Sequence, residues 1–299
     1  MQPKITEPLT SGILTFENRA ERYSKFIHDL DKKRFTTGLP AIDRVIRGVA
    51  PGEVMTIIAY SGTYKSALLQ NLLMQAGAKM QQHQLFFSME MPVETIFERE
   101  IQMANEVDGY TVESTYKAKD DRAAQLHSKA YSFGGKYLLT CEKNRLDLDM
   151  IRRYTQMAEV KYDSIGCVGI DYLGLMKADG KNLLEKTAEI SYGVKVLAKE
   201  LNLPVIILCQ VSRAYATSKD AGIETDAAKG GGDIEAGADY MLGMFKHNES
   251  LIMRVLKNRK GRSGMYFKVD IDVESMRFWG VEPWEPPKKT KGKECNPYE

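Results

Sequence analysis

The run Val54-Met-Thr-Ile-Ile58 is apolar at all but one position, and a stretch hydrophobic at successive rather than alternate residues predicts a strand buried on both faces. Seven more short runs read as strands: Gln84–Ser88, Tyr137–Cys141, Ile165–Asp171, Pro204–Gln210, Tyr240–Phe245, Ser250–Leu256 and Met265–Asp270. Between the earlier ones, apolar residues recur at helical spacing over 67–74 and about 93–106, 121–132, 147–159 and 185–201. Strand and helix therefore alternate, as they do in a mainly parallel twisted sheet with helices on both faces. The last strands follow one another with short gaps, which predicts an antiparallel extension.

Upstream, Phe16, Ala20, Tyr23, Phe26, Ile27 and Leu30 repeat at helical spacing over about 15–33. That helix packs either on its own domain or on a neighbouring subunit. Thr37 to Asp43, Gly48 and Pro51-Gly52 supply turn chemistry ahead of the first strand. From Pro283 the chain becomes Pro-Trp-Glu-Pro-Pro-Lys-Lys-Thr-Lys-Gly-Lys, too polar to bury a core. The expected division is an extension and linker-type helix over 1–34, an α/β domain over 35–282 and a disordered tail over 283–299.

Composition narrows this little. A chain of 299 residues that is 43% hydrophobic suffices for one large α/β core, and a net charge of +2 announces no polyanion partner. Cys141, Cys167, Cys209 and Cys295 are widely spaced and read as reduced thiols. No apolar run approaches a membrane span and the N-terminus has no signal-type core, so a cytoplasmic protein is expected.

The chemistry begins after the first strand, with Tyr60-Ser61-Gly62-Thr63-Tyr64-Lys65-Ser66 leading into a helix. A phosphate loop of the form G-x-x-x-x-G-K-[ST] wraps phosphates in backbone N–H groups at a helix N-terminus, with Lys on the outer phosphates and the hydroxyl on Mg²⁺. Here Lys65 and Ser66 are in place, but Ala59 and Tyr64 occupy the two glycine positions. Asp171 and Gln210 end strands, and Glu90 follows one directly, so all three are expected at the carboxyl edge where sheets of this class bind ligands. Their bland alternatives are loop and helix caps or a satisfied edge amide. Lys257-Asn-Arg259 puts two cations on one side of an extended segment, either solvated or reaching a neighbour's phosphate.

Taken in order, Thr37-Gly-Leu-Pro-Ala-Ile-Asp-Arg44, Phe87-Ser-Met-Glu-Met-Pro92, Ile170-Asp-Tyr-Leu-Gly-Leu-Met176, Ala198 to Val205, Cys209-Gln-Val-Ser-Arg213, Asp233 to Asp239 and Lys257-Asn-Arg-Lys-Gly261 resemble the motifs of the RecA-like motor domain of DnaB-type replicative helicases, over roughly 35–275. The resemblance implies a P-loop NTPase core that uses ATP and Mg²⁺. Ser61, Gly62, Thr63, Tyr64, Lys65 and Ser66 would bind nucleotide, and Ser66 and Asp171 would hold the metal. Glu90 would be the catalytic base, and Gln210 would couple the γ-phosphate to DNA. Lys257 and Arg259 would act on the adjacent subunit's nucleotide, which implies a ring, a hexamer.

Loops at about Lys177–Lys186 and Ala214–Gly232, with Lys177, Lys181, Lys186, Lys219 and Lys229, would line a channel for single-stranded DNA. Solvated surface loops are the alternative. A loader or primase is the further partner such a motor would meet.

The sequence departs from the family twice. The segment before Phe35 is expected to stand as a linker helix without the N-terminal collar domain. Tyr64 replaces a glycine, so its ring either crowds the phosphates or points outward and stacks. The leading reading is an ATP-driven, ring-forming helicase of the phage or plasmid type, acting on single-stranded DNA in replication. A second is a RecA-fold DNA-binding assembly or regulatory subunit with weak or absent hydrolysis, and a third is a DNA-dependent ATPase switch that does not unwind.

Overall fold

A nine-stranded sheet organises the molecule, in the order β3-β2-β4-β5-β1-β6-β7-β8-β9. Its strands are β1 (Val54–Ala59), β2 (His83–Ser88), β3 (Leu138–Cys141), β4 (Ile165–Asp171), β5 (Val205–Gln210), β6 (Tyr240–His247), β7 (Ser250–Asn258), β8 (Tyr266–Asp272) and β9 (Arg277–Trp284). The computed structural model describes residues 12–119, 121–211, 223–227 and 231–286. From β3 through β6 every pairing is parallel, and β6 to β9 form an antiparallel meander.

Unbroken apolar runs form the central strands because both faces are covered. On β1, Val54 and Ile58 face one core and Met55, Ile57 and Ala59 the other; on β5, Val205, Ile207 and Cys209 divide from Ile206 and Leu208 in the same way. The first core is closed by α7 (Leu148–Tyr162), α8 (Leu183–Leu201) and α9 (Gly231–Gly237), the second by α2 (Pro40–Ile46) and α3 (Lys65–Met80). α3 lies close on β4 because Gly169 has no side chain: a Cβ there would stand 2.7 Å from a Leu73 methyl. α4 (Val93–Asn105), α5 (Gly109–Ala118) and α6 (Asp121–Phe133) make a smaller cluster after β2, around Ile101, Ala104, Val112, Leu126 and Ala130.

Three elements differ from expectation. Part of the turn chemistry before β1 is the short helix α2, begun by Pro40 and tied back by the Asp43 carboxylate, which accepts from the Thr37 N–H at 2.8 Å and hydroxyl at 2.9 Å. α5 shows no clear apolar period because only Val112 and Thr115 are buried. β9 runs two residues into the segment expected as tail: Pro283 and Trp284 pair with Phe267 and Tyr266. An edge strand tolerates Pro283, whose missing N–H costs no ladder bond on its open side. Residues 287–299, including Cys295, lie outside the described residues.

The expected first helix is present as α1 (Phe16–Lys33), capped by Thr15 and braced by a Glu21–Lys25 pair at 2.8 Å. Of its residues only Leu30 is buried; Phe16 remains 71% and Tyr23 64% exposed, with Phe26 and Ile27 also open. Its apolar face thus has little to pack on within its own subunit. No described helix is long and apolar enough to cross a membrane.

Candidate active site at the carboxyl edge of the sheet

β1 ends at Ala59, and the loop to α3 is closed where the Thr63 hydroxyl donates to the Tyr60 carbonyl at 2.7 Å. Gly62 sits at φ +76° with open space where a Cβ would stand, leaving the loop concave. The first intrahelical bond of α3 runs from the Leu68 N–H to the Tyr64 carbonyl. The Lys65, Ser66 and Ala67 N–H groups thus precede the helix ladder, where a helix favours an anion.

Tyr64 caps this helix from the left-handed region, at φ 61° and ψ 22°. That backbone suits glycine and costs a tyrosine on the order of 1 kcal/mol or more. The ring packs at the margin of the second core, with the Lys246 ammonium 5.0 Å from its centroid.

Lys65 is almost buried, its ammonium 3.7 Å from the Glu90 carboxylate and 5.3 Å from the Tyr172 ring centre. Glu90 follows β2 in a turn held by the Ser88 hydroxyl, which donates to the Met91 carbonyl at 2.9 Å and accepts the Met91 N–H at 3.3 Å. Ser88 pairs in register with Asp171, and the Met89 N–H reaches the Asp171 carbonyl at 2.9 Å, so the ends of β2 and β4 are fastened together.

Asp171 is fully buried, and its carboxylate oxygens make no full hydrogen bond, with only the Ser66 hydroxyl drawn towards them. Burial pushes its pKa up; the nearby Ser66 hydroxyl, Lys65 and Arg99 pull it back, while Glu90 adds to the rise. An orphaned buried carboxylate beside a hydroxyl is a donor set for a hard cation. Among the described residues no group of three or more His, Cys, Asp or Glu could hold a metal. A Mg²⁺ ion at Ser66 and Asp171 would fill the rest of its shell with waters and substrate phosphate oxygens. Gln210, half-buried, ends β5 in register with Ala59, and the next N–H, of Val211, donates to the Ala59 carbonyl at 3.0 Å.

Lys65, Ser66, Glu90, Asp171 and Gln210 are therefore brought to one edge, and Lys257 and Arg259 are not. The Arg259 N–H donates to the Asp239 carbonyl, and an Asp239 carboxylate oxygen accepts the N–H of Val54, the first residue of β1. Five strand steps separate Val54 from Ala59, about 17 Å at a rise of about 3.3 Å per residue. Lys257 and Arg259 thus belong to the opposite edge and cannot serve their own subunit's phosphate loop.

Lys177 and Lys181 are exposed in the loop after β4, but Lys186 is not in a loop. The N-cap Asn182 accepts the Glu185 N–H at 2.9 Å while Glu185 reaches back to accept the Lys181 N–H at 2.7 Å, which starts α8 at Leu183 and puts Lys186 in its first turn. Lys219 and Lys229 lie outside the described residues.

Two cations near the site were not legible beforehand. Arg99, on α4, donates to the Met91 sulfur at 2.7 Å and faces the charges of Asp171 and Glu90. Lys246 is brought beside the phosphate loop by the parallel pairing of β6 with β1. The signal for each was only a lone charge in an apolar context.

A model of the DnaB-like helicase C-terminal domain family matches residues 35–279. This chain belongs to that family. It is 28% identical over 214 residues to the replicative DNA helicase DnaB of Pasteurella multocida, covering 71% of this chain and 46% of that protein. It is likewise 28% identical over 291 residues to the DnaB of Mycoplasma genitalium, covering 92% and 60%. The chain thus spans about half the length of the curated relatives it matches.

Among solved structures, the ATPase domain of G40P superposes with a TM-score of 0.78 at 19% identity, covering 90% of this chain and 99% of that one. A DnaB-like replicative helicase, described with its interactions with primase, superposes with a TM-score of 0.75 at 19% identity, covering 90% and 67%. The fold is that of a RecA-like P-loop NTPase with a mixed parallel and antiparallel sheet. Within this DnaB-like domain Tyr64 stands at the second glycine position of the phosphate-loop pattern with a left-handed backbone.

Proposed function

We propose that this chain is the motor of an ATP-driven, ring-forming DNA helicase that translocates on single-stranded DNA in replication. The observation that carries the reading is the split between the two edges. One edge gathers a phosphate loop, a buried unpartnered carboxylate and an exposed one; the other bears Lys257 and Arg259, beyond reach of that site. A subunit built this way completes its site by meeting a second copy head to tail, and repeating that contact closes a ring, a hexamer in this reading. The open apolar face of α1 supports such assembly, because it offers Phe16, Tyr23 and Phe26 to a neighbour.

In this mechanism the N–H groups at the start of α3 and the Lys65 ammonium bind the β- and γ-phosphates. Ser66 and Asp171 hold Mg²⁺, which when bound neutralises charge on the phosphate oxygens. Glu90, 46% exposed at the side chain, accepts a proton from water as the water oxygen bonds to the γ-phosphorus. The bond from the γ-phosphorus to the bridging oxygen breaks, and ADP leaves. The neighbour's Arg259 and Lys257 stabilise the charge that develops on the transferred group. Gln210 senses the γ-phosphate at the end of β5. Lys177, Lys181 and Lys186 bind DNA phosphates, with Lys219 and Lys229 assigned the same role from sequence. A primase contact is part of the proposal because one structural relative is described with primase, and a loader is its companion expectation.

Tyr64 favours the second reading, a RecA-fold DNA-binding or regulatory subunit with little hydrolysis, since that residue departs from the phosphate-loop pattern. Strand displacement separates the two. The purified chain, given ATP and a forked duplex, is expected to release the strand, and Arg259→Ala to abolish release. DNA binding with neither release nor ATP turnover at saturating ATP would favour the second reading.

A further inference from the structure

At the edge opposite the phosphate loop, one buried carboxylate holds three groups in place. Asp239 is 1% exposed. One of its oxygens accepts the Val54 N–H at 2.9 Å and the Lys195 ammonium at 2.5 Å; the other accepts an Arg259 Nη1 proton at 2.6 Å. Its main-chain carbonyl takes the Arg259 N–H at 3.0 Å. Lys195 also donates to the Gly52 carbonyl at 2.8 Å.

A carboxylate removed from water is stable only when its lone pairs are filled, and here both oxygens are. Arg259 is held at its backbone and at one side-chain nitrogen, yet its side chain stays 64% exposed. A guanidinium carries five donors in a rigid fork, so fixing one fixes the direction of the rest. That exposure leaves the remaining donors open to a neighbour. Lys195 lies on α8, and the N-terminal end of α8 is joined directly to the loop bearing Lys177 and Lys181. A single helix therefore runs from that loop to the carboxylate that holds Arg259.

We propose that Asp239 is a positioning residue that aims Arg259 out of the subunit, and that Lys195 ties this aim to α8 and so to the Lys177–Asn182 loop. The proposal rests on the reading above, that Arg259 serves a neighbour's nucleotide and that this loop touches DNA. A displacement of α8 on DNA binding moves Lys195, and with it the carboxylate from which Arg259 is aimed. DNA on one subunit thereby alters hydrolysis at the next. A helix packed between two sites is not itself proof of coupling, so the test measures coupling directly.

The experiment is steady-state ATP hydrolysis by the assembled full chain, with and without single-stranded DNA. The variants are Asp239→Asn, Lys195→Met, Lys195→Arg and Arg259→Ala, each checked for melting temperature and assembly. Asp239→Asn keeps an acceptor for the Val54 N–H and removes the charge. Loss of one charge-assisted bond to the finger is expected to lower kcat about ten- to hundredfold, with KM for ATP nearly unchanged.

Lys195→Met is expected to reduce the ratio of DNA-stimulated to DNA-free turnover by about threefold or more, and Lys195→Arg to restore it. A folded, assembled Asp239→Asn protein with wild-type kcat, beside an Arg259→Ala protein that has lost turnover, overturns the positioning role. Full DNA stimulation in Lys195→Met overturns the tie to α8. Wild-type turnover in Arg259→Ala would instead remove the trans reading on which both depend. Should Asp239→Asn not fold, the Lys195 pair decides.

Discussion

The Lys65 ammonium stands 3.7 Å from the Glu90 carboxylate, joining the first residue of α3 to the turn after β2. Because Glu90 is nearly half exposed, water screens the pair and its contribution to stability is small. In the proposed mechanism the cation that would bind phosphate and the base that would take water's proton begin as partners. A phosphate that draws Lys65 away leaves Glu90 free to accept a proton. Glu90→Gln is therefore expected to keep ATP binding while turnover falls about a hundredfold or more, the usual scale of general-base loss. Lys65→Ala is expected to lose binding itself. Fluorescent-nucleotide titration beside steady-state turnover separates the two, and loss of binding in Glu90→Gln would contradict the assignment.

Tyr64 makes a second prediction. Its left-handed backbone costs on the order of 1 kcal/mol, and the Lys246–ring contact at 5.0 Å returns about 0.5–1 kcal/mol. Tyr64→Gly removes both, so stability is expected to change by less than about 1 kcal/mol. ATP affinity is expected to change by less than about tenfold, because the ring packs beside Lys246. Tyr64→Ala keeps the backbone cost and loses the packing, and is expected to be less stable than either. Denaturant melts and ATP titrations check this; a tenfold or larger gain in affinity in Tyr64→Gly would show that the ring obstructs the phosphates.

The sheet was legible because strands buried on both faces carry an uninterrupted apolar signal, as Val54–Ala59 and Val205–Gln210 do. The carboxyl-edge positions of Glu90, Asp171 and Gln210 follow from that, since each stands at or just after the end of such a run. β9 was hidden by Pro283 and Gly280, which punctuate turns in most contexts yet are tolerated at an edge. Lys186 stands where the expected loop to about 186 overlaps the expected helix over 185–201, and the structure gives it to the helix, which starts two residues earlier at Leu183. The Lys195–Asp239–Arg259 contacts could not be read at all, for they join a residue of α8 to the residue before β6 and the residue after β7.

Acidity gives a prediction with a definite sign. Burial raises the Glu100 carboxyl on α4 from its ordinary 4.5 to about 8. The folded protein thus binds this proton more tightly than the unfolded chain does. Its contribution to stability is complete below about pH 4.5 and is lost as pH rises through about 8. Glu100→Gln cannot ionise, so its melting temperature is expected to fall less than the wild type's over that window. Parallel profiles for the two proteins would contradict the raised carboxyl pKa.

Assembly should depend on α1. Tyr23 and Phe26, with ring centres 6.5 Å apart, form an open aromatic pair on a helix otherwise rich in charge. Tyr23→Ser with Phe26→Ser is expected to leave the melting temperature nearly unchanged and to shift the protein from a ring towards smaller species in sedimentation velocity. An unchanged distribution would assign α1 no part in assembly.

The most direct test of the motor reading is steady-state ATP hydrolysis with and without single-stranded DNA, at protein concentrations that permit assembly and with Glu90→Gln as control. The account predicts turnover that DNA stimulates and that the substitution abolishes. Turnover no higher than the control at saturating ATP would contradict it and make the chain a structural or regulatory subunit.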